Sequence, residues 1–413
     1  MQTQSPAVPK VTAEPLVPLL ALTTAVQALG TFSVFALPTL APKAAATFGM
    51  APQAVGYQVS VIYLAAACLS GYGGLFVRRY GACTTSLVAL CLNAAGLFGI
   101  ASGTLPLTIA GSLLIGAGYG VINPAAAHLL LRYAPSGRRN LIFAIKQAGV
   151  PIGAMLAATM LPRLAERIGW QEAVAASTLL MFALAVPLLM RRARWDDDRE
   201  PSTALRAGAL AGVAMILHNP ILRALALTGF CYATFQVCLI AFAVTMLATE
   251  MGWTLVEAGT IAAVTQAAGM TGRITWSLFA DRFGNGLKIL TALGIASAAF
   301  GLATATMTAT WPAWAMLLVL CAFGFSIIGW NGIYMAETAR ASGPRDVGLA
   351  TGGVLIFNFT GIIVGPALFG VIAKATGSIA GTFGLFALLP LLGALSLLPI
   401  LRHDRNRTVQ KPV

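Results

Sequence analysis

Long uncharged runs of apolar residues decide what this chain can fold into. No Asp, Glu, Lys or Arg occurs in residues 15–42, 44–77, 80–131 or 289–336. A helix that crosses a membrane needs about 20 predominantly apolar residues, so each run can hold at least one. Only 9% of all residues are charged, against about 25% in an average soluble domain. The sequence therefore predicts an all-α membrane protein.

The runs divide into twelve predicted spans. Breaks at Gly103-Thr104-Leu105-Pro106 and at Thr310-Trp311-Pro312 split the two longest runs into two spans each. The first run is too long for the apolar core of a cleaved signal peptide, and we expect it to be retained as a span. The predicted spans are 17–39, 53–76, two within 80–131, 141–161, 172–190, 222–247, 256–279, two within 289–336, 348–372 and 380–401.

Basic residues fall unevenly on the two sides of these spans. Of the 26 Lys and Arg residues, two lie within spans, 20 lie on the side of the N-terminus, and four lie on the other side: Lys43, Arg163, Arg167 and Lys374. The positive-inside rule then predicts that both termini are cytoplasmic. The net charge of +13 comes from short clusters between apolar runs, which excludes a nucleic-acid-binding stripe.

The chain is organised as two halves joined by a polar segment. The linker contains the charge run from Arg191 to Glu200, which we interpret as a solvated tether, and an apolar stretch, 204–217, which predicts an interfacial helix. The predicted regions are an N-terminal six-helix bundle (1–190), a cytoplasmic linker (191–220), a C-terminal six-helix bundle (221–401) and a cytoplasmic tail (402–413).

The two halves repeat each other after a shift of 203–212 residues. Residues 74–81 correspond to 277–284, Lys146 corresponds to Asn358, and Gln27 corresponds to Gln236. Internal repeats of this kind are typical of secondary transporters, whose substrate site lies near the midplane between the repeats. The repeat disfavours a channel.

Two cations, Lys146 and Arg273, are the charged residues that lie well inside predicted spans. No Asp or Glu lies at similar depth, and a charge at a helix centre costs about 2.5 kcal/mol or more, so such residues mark functional sites. The helical rise places Arg273 about 12 Å inward from Asp281, and Lys146 about 10 Å inward from Arg139. Two unpaired cations predict an anionic cargo. Alternatives stay open for both: Lys146 snorkels to the surface, and Arg273 is held by backbone carbonyls or tied to the Asp281 region.

The run Asp281-Arg282-Phe283-Gly284 after the eighth span resembles the loop motif of the major facilitator superfamily. In that family the Asp latches the cytoplasmic side of the two halves. The first-half copy departs from the motif, with Arg78 where the family has Asp and Ala82 where a basic residue is usual, so its latch lacks the usual carboxylate.

Other features resemble particular groups of this family. Arg273 precedes Asp281 by eight residues, as an Arg does in oxalate/formate exchangers and monocarboxylate carriers. Lys146-Gln147-Ala148-Gly149 and Trp330-Asn331-Gly332 are similar to runs in cyanate/nitroimidazole-type carriers. The resemblance implies an organic-anion carrier.

These observations define two predicted sets of functional residues. For the polar members of the substrate-binding set, the alternative role is helix–helix hydrogen bonding. Glu337 and Arg340 are predicted to form a gate with Asp281 and Arg282, and the alternative is a static surface pair. The predicted substrate-binding set is Arg273, Lys146, Gln27, Gln236, Asn358, Asn331, Asn123 and Tyr63. The predicted gating set is Asp281, Arg282, Gly284, Arg78, Arg79, Gly81, Glu337 and Arg340.

The sequence thus predicts a monomeric secondary transporter for a small organic anion, in a bacterial-type inner membrane. We expect no enzymatic activity, cofactor, metal or nucleic-acid partner; the six cysteines have no metal-ligand spacing. The partners are the anion, the lipid bilayer and, if transport is coupled, protons. The lack of an intramembrane acid favours anion exchange, or symport of anion and proton, although His128 could titrate. The rivals are an efflux carrier for lipophilic drugs and, from another class, a membrane sensor or enzyme. Substrate identity and direction stay open.

Overall fold

A computed structural model describes residues 16–49, 56–203, 208–253 and 255–409 of the chain. Throughout these ranges the regular secondary structure is helical, as predicted. The α-helices are α1 Leu16–Phe35, α2 Ala41–Phe48, α3 Gly56–Tyr80, α4 Ala82–Ala101, α5 Leu105–Tyr133, α6 Arg139–Gln147, α7 Gly149–Ile168, α8 Trp170–Trp195, α9 Gly208–His218, α10 Pro220–Thr249, α11 Leu255–Phe283, α12 Gly286–Ala305, α13 Ala313–Ile327, α14 Asn331–Ser342, α15 Val347–Thr376, α16 Ile379–Phe386 and α17 Leu388–Val409. We call α1–α8 the first half and α10–α17 the second half.

Eleven stretches of the described chain are long and apolar enough to cross a membrane. Three of them are helix pairs: α6 with α7, α13 with α14, and α16 with α17. The remaining predicted span, 256–279, lies in α11, which has 29 residues and is therefore long enough. It is less apolar than the eleven because Gln266 and Arg273 lie in its middle.

The fifth predicted span, drawn as one helix over 141–161, is interrupted after Gln147. The last helical carbonyl of α6 belongs to Gln147, and the residue four positions later is Pro151, which has no N–H to donate back to it. A second interruption, residues 328–330, separates α13 from α14. Both interruptions leave backbone carbonyls at the ends of half-helices available to side chains.

The two halves meet closely at the end of the bundle that carries Arg78, Arg139 and Arg340, which we call the basic end. There α3 packs along α15, and α6 packs on α11 and α14. A Cβ atom on Gly352 of α15 would clash with the carbonyl oxygen of Ser70 on α3, so the two backbones touch. Farther from this end, α7 packs mainly on α1 and α8. The seam between the halves is therefore tightest at the basic end.

The acidic part of the linker is docked on the first half, so its interpretation as a solvated tether is wrong. Asp196 is only 4% exposed, and its carboxylate accepts hydrogen bonds from the N–H groups of Cys83 (2.7 Å) and Thr84 (2.9 Å). It thereby caps the start of α4, where Gly81 has no side chain to do so. Gly81 has a φ of 94°, and a Cβ there would clash with Asp196.

Two further linker carboxylates bind the end of α5. Asp197 forms a bidentate pair with Arg132, at 2.6 and 3.0 Å, and Asp198 lies 2.8 Å from Nε2 of His128. His128 therefore has an acidic hydrogen-bond partner in the linker. The predicted apolar helix 204–217 appears as α9; residues 204–207 lie outside the described ranges. It packs across both α3 and α15.

Candidate functional site

Lys146 is buried in the first half and is saturated with hydrogen-bond acceptors. Its ammonium donates to Oε1 of Gln27 on α1 (2.6 Å), to Oε1 of Gln147 (3.2 Å) and to Oδ1 of Asn123 on α5. A protonated lysine has three N–H donors, so all of them are used. Because the side chain is only 2% exposed, the alternative in which it snorkels to the surface is wrong.

Arg273 of α11 is also buried, at 4% exposure, but its donors are not saturated. Nη1 donates to the main-chain oxygen of Gln147 (2.7 Å), and Nη2 donates to that of Ile328 (3.4 Å). These carbonyls lie at the two helix interruptions, where half-helix ends carry negative partial charge and favour a cation. Nε is buried without a partner, and a guanidinium has five N–H groups in all.

Gln147 links the two cations. Its side-chain oxygen accepts from Lys146 of the first half and its main-chain oxygen accepts from Arg273 of the second half. Within the described ranges no ion pair joins either cation to an acid. The site therefore carries two positive charges that only neutral oxygens compensate. Sequence reasoning did not assign Gln147 a role, although Pro151 four residues later marks its carbonyl as free.

The other predicted first-half residues gather around the cations. Gln27 is fully buried and its Nε2 donates to the hydroxyl of Tyr119 (3.4 Å). The rings of Tyr63, Tyr119 and Phe359 form a triangle with centroid distances of 5.6–6.1 Å. Because Phe359 belongs to α15, this cluster joins α3 and α5 to the second half.

The predicted second-half residues form a separate group. Oε1 of Gln236 on α10 accepts from Nε1 of Trp330 (2.8 Å) and from Nδ2 of Asn331 (3.2 Å). Asn358 is buried on α15, next to Phe359 of the aromatic triangle. Gln236 and Asn331 thus act on each other, as the helix–helix alternative predicts, and neither is bonded to Lys146 or Arg273.

Asp281 forms a contact between the halves at the basic end. Its carboxylate on α11 accepts from the main-chain N–H groups of Asn140 (3.1 Å) and Leu141 (2.9 Å), and from Nδ2 of Asn140 (2.7 Å). It therefore caps the first turn of α6, where the helix dipole favours negative charge. The structure brings Asp281 to the seam, where a gating residue has to lie.

Three of the remaining gating candidates, Glu337, Arg340 and Arg282, lie on α14 and α11. Glu337 is ion-paired with Arg340 on its own helix, α14, and Asp281 binds α6 rather than joining that pair. Arg282 is exposed, and no acid pairs with it among the described residues, so the predicted four-residue gate is not formed.

The other four candidates lie at the ends of two corresponding helices. Arg78 and Arg79 belong to the last turn of α3, Gly81 follows α3, and Gly284 follows α11. Gly284, with a φ of 65°, ends the loop motif of the second half. Arg78 and Arg79 both bind the linker: Arg78 pairs with Glu200 (3.0 Å), and Arg79 donates to the carbonyl of Thr203 (3.2 Å).

Comparison with known proteins gives the same family along most of the chain. The family model described as Major Facilitator Superfamily matches residues 20–342. An "Uncharacterized MFS-type transporter" of Mycobacterium tuberculosis (strain CDC 1551 / Oshkosh) is 25% identical over 338 residues, which are 79% of this chain and 72% of that protein.

Two other similarities extend this picture. The "Probable anion transporter 4, chloroplastic" of Oryza sativa subsp. japonica is 25% identical over 80% of this chain, which spans 58% of that longer protein. The crystal structure of the Escherichia coli fucose:proton symporter superposes with a TM-score of 0.71 at 17% identity, over 93% of this chain and 99% of that one, and supports the fold alone. The chain belongs to the Major Facilitator Superfamily and is a multi-pass membrane transporter.

Proposed function

We propose that this protein is a twelve-span secondary transporter that moves a small organic anion, a carboxylate, across a bacterial-type inner membrane by alternating access. Residues 1–190 and 221–401 rock against each other around the cations, and 191–220 joins them. The basic end faces the cytoplasm in this proposal, since most Lys and Arg side chains lie there. The name of the rice relative supports an anionic cargo.

The observation that carries the proposal is the state of Arg273. It is buried, has no acidic partner among the residues that the structure describes, and makes two hydrogen bonds with five N–H groups. A carboxylate matches the planar fork of a guanidinium and forms charge-assisted bonds that are about twice as strong as neutral ones. Lys146 has no spare donor, so its contribution to anion binding is the field of its charge.

The position of Arg273 also suggests how binding and rocking are linked. Its bond to the carbonyl of Gln147 crosses from the second half to the first. When the halves separate at the basic end this bond has to break, which leaves a buried cation short of acceptors. A bound anion supplies the missing acceptor and lowers the energy of the transition between the two conformations of the transporter. Such a site suits both proposed modes, anion exchange and symport of an anion with a proton.

Uptake by proteoliposomes tests the proposal. A panel of radiolabelled mono- and dicarboxylates is offered with and without a pH gradient, and with and without unlabelled anion inside. We expect Arg273→Gln to abolish the uptake that wild type shows, while Arg163→Gln, an exposed arginine on α7, leaves it unchanged. Stimulation by internal anion indicates exchange, and stimulation by the pH gradient indicates symport. Wild-type uptake that Arg273→Gln preserves would contradict the role of Arg273.

One structural feature favours a second candidate, efflux of a lipophilic compound. An almost wholly apolar groove of about 720 Å³ is formed by α1, α6, α7 and α8. Its lining includes Leu20, Leu29, Ile145 and Leu184. The groove belongs entirely to the first half, however, and alternating access needs a site between the halves. Transport of lipophilic dyes that carboxylates do not inhibit would favour this candidate over the first.

A further inference from the structure

The two halves place opposite charges at equivalent points of the seam. In the second half, Asp281 reaches from the end of α11 to the start of α6. In the first half, the position equivalent to Asp281 is Arg78, at the end of α3. The helix equivalent to α6 is α15, and the residue just before it is Asp346. Nη1 of Arg78 lies 3.9 Å from Oδ1 of Asp346. The contact lies at a similar place in each half, but the base and the acid have changed positions: the base ends the first helix and the acid precedes the second.

The linker adds a second carboxylate to this reversed contact. Oε2 of Glu200 lies 3.0 Å from Nη2 of Arg78, and its Oε1 lies 4.0 Å from Nη2 of Arg345, beside Asp346. The four side chains alternate in sign, in the order Asp346, Arg78, Glu200 and Arg345. Arg78 belongs to the first half, and Arg345 and Asp346 belong to the second, so the chain of charges crosses the seam twice.

Glu200 is held in place by its backbone. Its own N–H donates to the carbonyl of Arg78 (2.6 Å), and Arg79 binds the carbonyl of Thr203 (3.2 Å). An exposed ion pair is usually weak because two long side chains must be ordered to form it. Here the backbone has already ordered one partner, which lowers that entropy cost. Arg78 also lowers the pKa of Glu200 below its ordinary value, mainly through their hydrogen bond.

We propose that Glu200 supplies the carboxylate that the first-half loop lacks, and that Asp346, Arg78, Glu200 and Arg345 form a charge-reversed clasp that holds the transporter closed at the basic end. Glu200 stays with the first half through its bonds to Arg78, while its contact with Arg345 breaks when the halves separate. The linker is then a working part of the conformational cycle. This inference rests on the proposed alternating access but not on the identity of the cargo.

Distance measurements between the halves test the clasp. Spin labels replace Tyr80 at the end of α3 and Pro344 before α15, both exposed, in a variant whose six native cysteines are replaced. In lipid nanodiscs the distance distribution should show a short (closed) and a long (open) population. We expect Glu200→Gln to lower the ratio of closed to open molecules about two- to fivefold, the size expected for an exposed ion pair.

The matched control is Asp197→Asn. Asp197 lies in the same linker and makes a bidentate pair, but its partner Arg132 belongs to the same half. We expect this variant to keep the wild-type ratio. We also expect Arg78→Gln combined with Glu200→Gln to shift the ratio by less than the product of the separate shifts, because both remove one interaction.

The outcomes separate the clasp from the proposed function. A wild-type ratio in Glu200→Gln, or equal shifts in Glu200→Gln and Asp197→Asn, would overturn the clasp and leave alternating access intact. Wild type could instead show a single distance between the labels. If neither an added carboxylate nor any of these substitutions changes that distance, the result counts against alternating access itself.

Discussion

Arg273, in the second half, donates a 2.7 Å hydrogen bond to the main-chain oxygen of Gln147, in the first half. The oxygen is available because Pro151 removes the helical donor that would otherwise bind it. The side-chain oxygen of Gln147 also accepts a hydrogen bond from Lys146, so this one residue binds both cations. This hydrogen bond from Arg273 therefore connects a buried cation of the second half to the helix interruption of the first half, across the seam.

Arg273→Lys is expected to lower initial uptake by about tenfold or more, although it keeps the charge. A lysine ammonium is a single point and cannot reach the carbonyls of Gln147 and Ile328 while also presenting a fork to a carboxylate. A loss of about 1.4 kcal/mol of binding is tenfold in affinity. Initial rates over a range of anion concentrations measure the effect. Wild-type kinetics in this variant would show that the fork is unnecessary.

Lys146→Met is expected to destabilise the first half more than it changes anion selectivity. It removes the shared donor of Gln27, Asn123 and Gln147 and leaves buried amide oxygens without partners, each at a cost of about 1–3 kcal/mol. Thermal unfolding in detergent should therefore show a lower midpoint. The control is Lys43→Met, at an exposed lysine near the opposite end. Equal midpoints for both variants would contradict the bonding role.

Much of the architecture follows from the sequence because burying charge in lipid is costly. That cost fixes the apolar runs, and hence the helices, and it singles out Lys146 and Arg273 before any coordinates are known. The sequence pattern does not fix what neutralises them. Amide and carbonyl acceptors are common in every span, and only the packing of α1, α5 and α6 selects Gln27, Asn123 and Gln147.

The linker is a second feature whose contacts the sequence pattern does not predict. A run rich in Asp and Arg resembles any solvated loop, since composition does not report partners. Asp196 becomes buried because Gly81 leaves the start of α4 without a cap and leaves room for a carboxylate. The first-half departure at Arg78 did signal an altered latch, and a search for a compensating acid at the start of α15 would have found Asp346.

Gly352→Ala is expected to prevent full closure at the basic end. Its Cβ would clash with the main-chain oxygen of Ser70, and a backbone atom cannot turn aside as a flexible side chain can. Labels at positions 80 and 344 should then report a larger open population. Gly370→Ala, on the same helix, is the control, because a Cβ there meets only Cζ of Phe242, at 3.8 Å. An unchanged distance distribution in Gly352→Ala would show that the seam tolerates a wider spacing.

The docking of the linker on α5 is expected to fail only in acid. Burial by itself raises the pKa of Asp198, but the hydrogen bond and charge of His128, together with Arg132, outweigh it, and the pKa lies below its ordinary value. A carboxyl with a lowered pKa stabilises the docked state above its ordinary pKa of about 3.9, and this stabilisation is lost as the pH falls through the lower, docked value. Amide hydrogen exchange over 196–203 should stay slow from about pH 8 to 5 after correction for the intrinsic rate, and increase below about pH 4. In His128→Ala the docked pKa of Asp198 should rise toward its ordinary value, so protection should already be weaker between pH 5 and 8 and should fall less as the pH drops below about 4. Equal protection of both proteins between about pH 5 and 8 would show that His128 does not hold the linker.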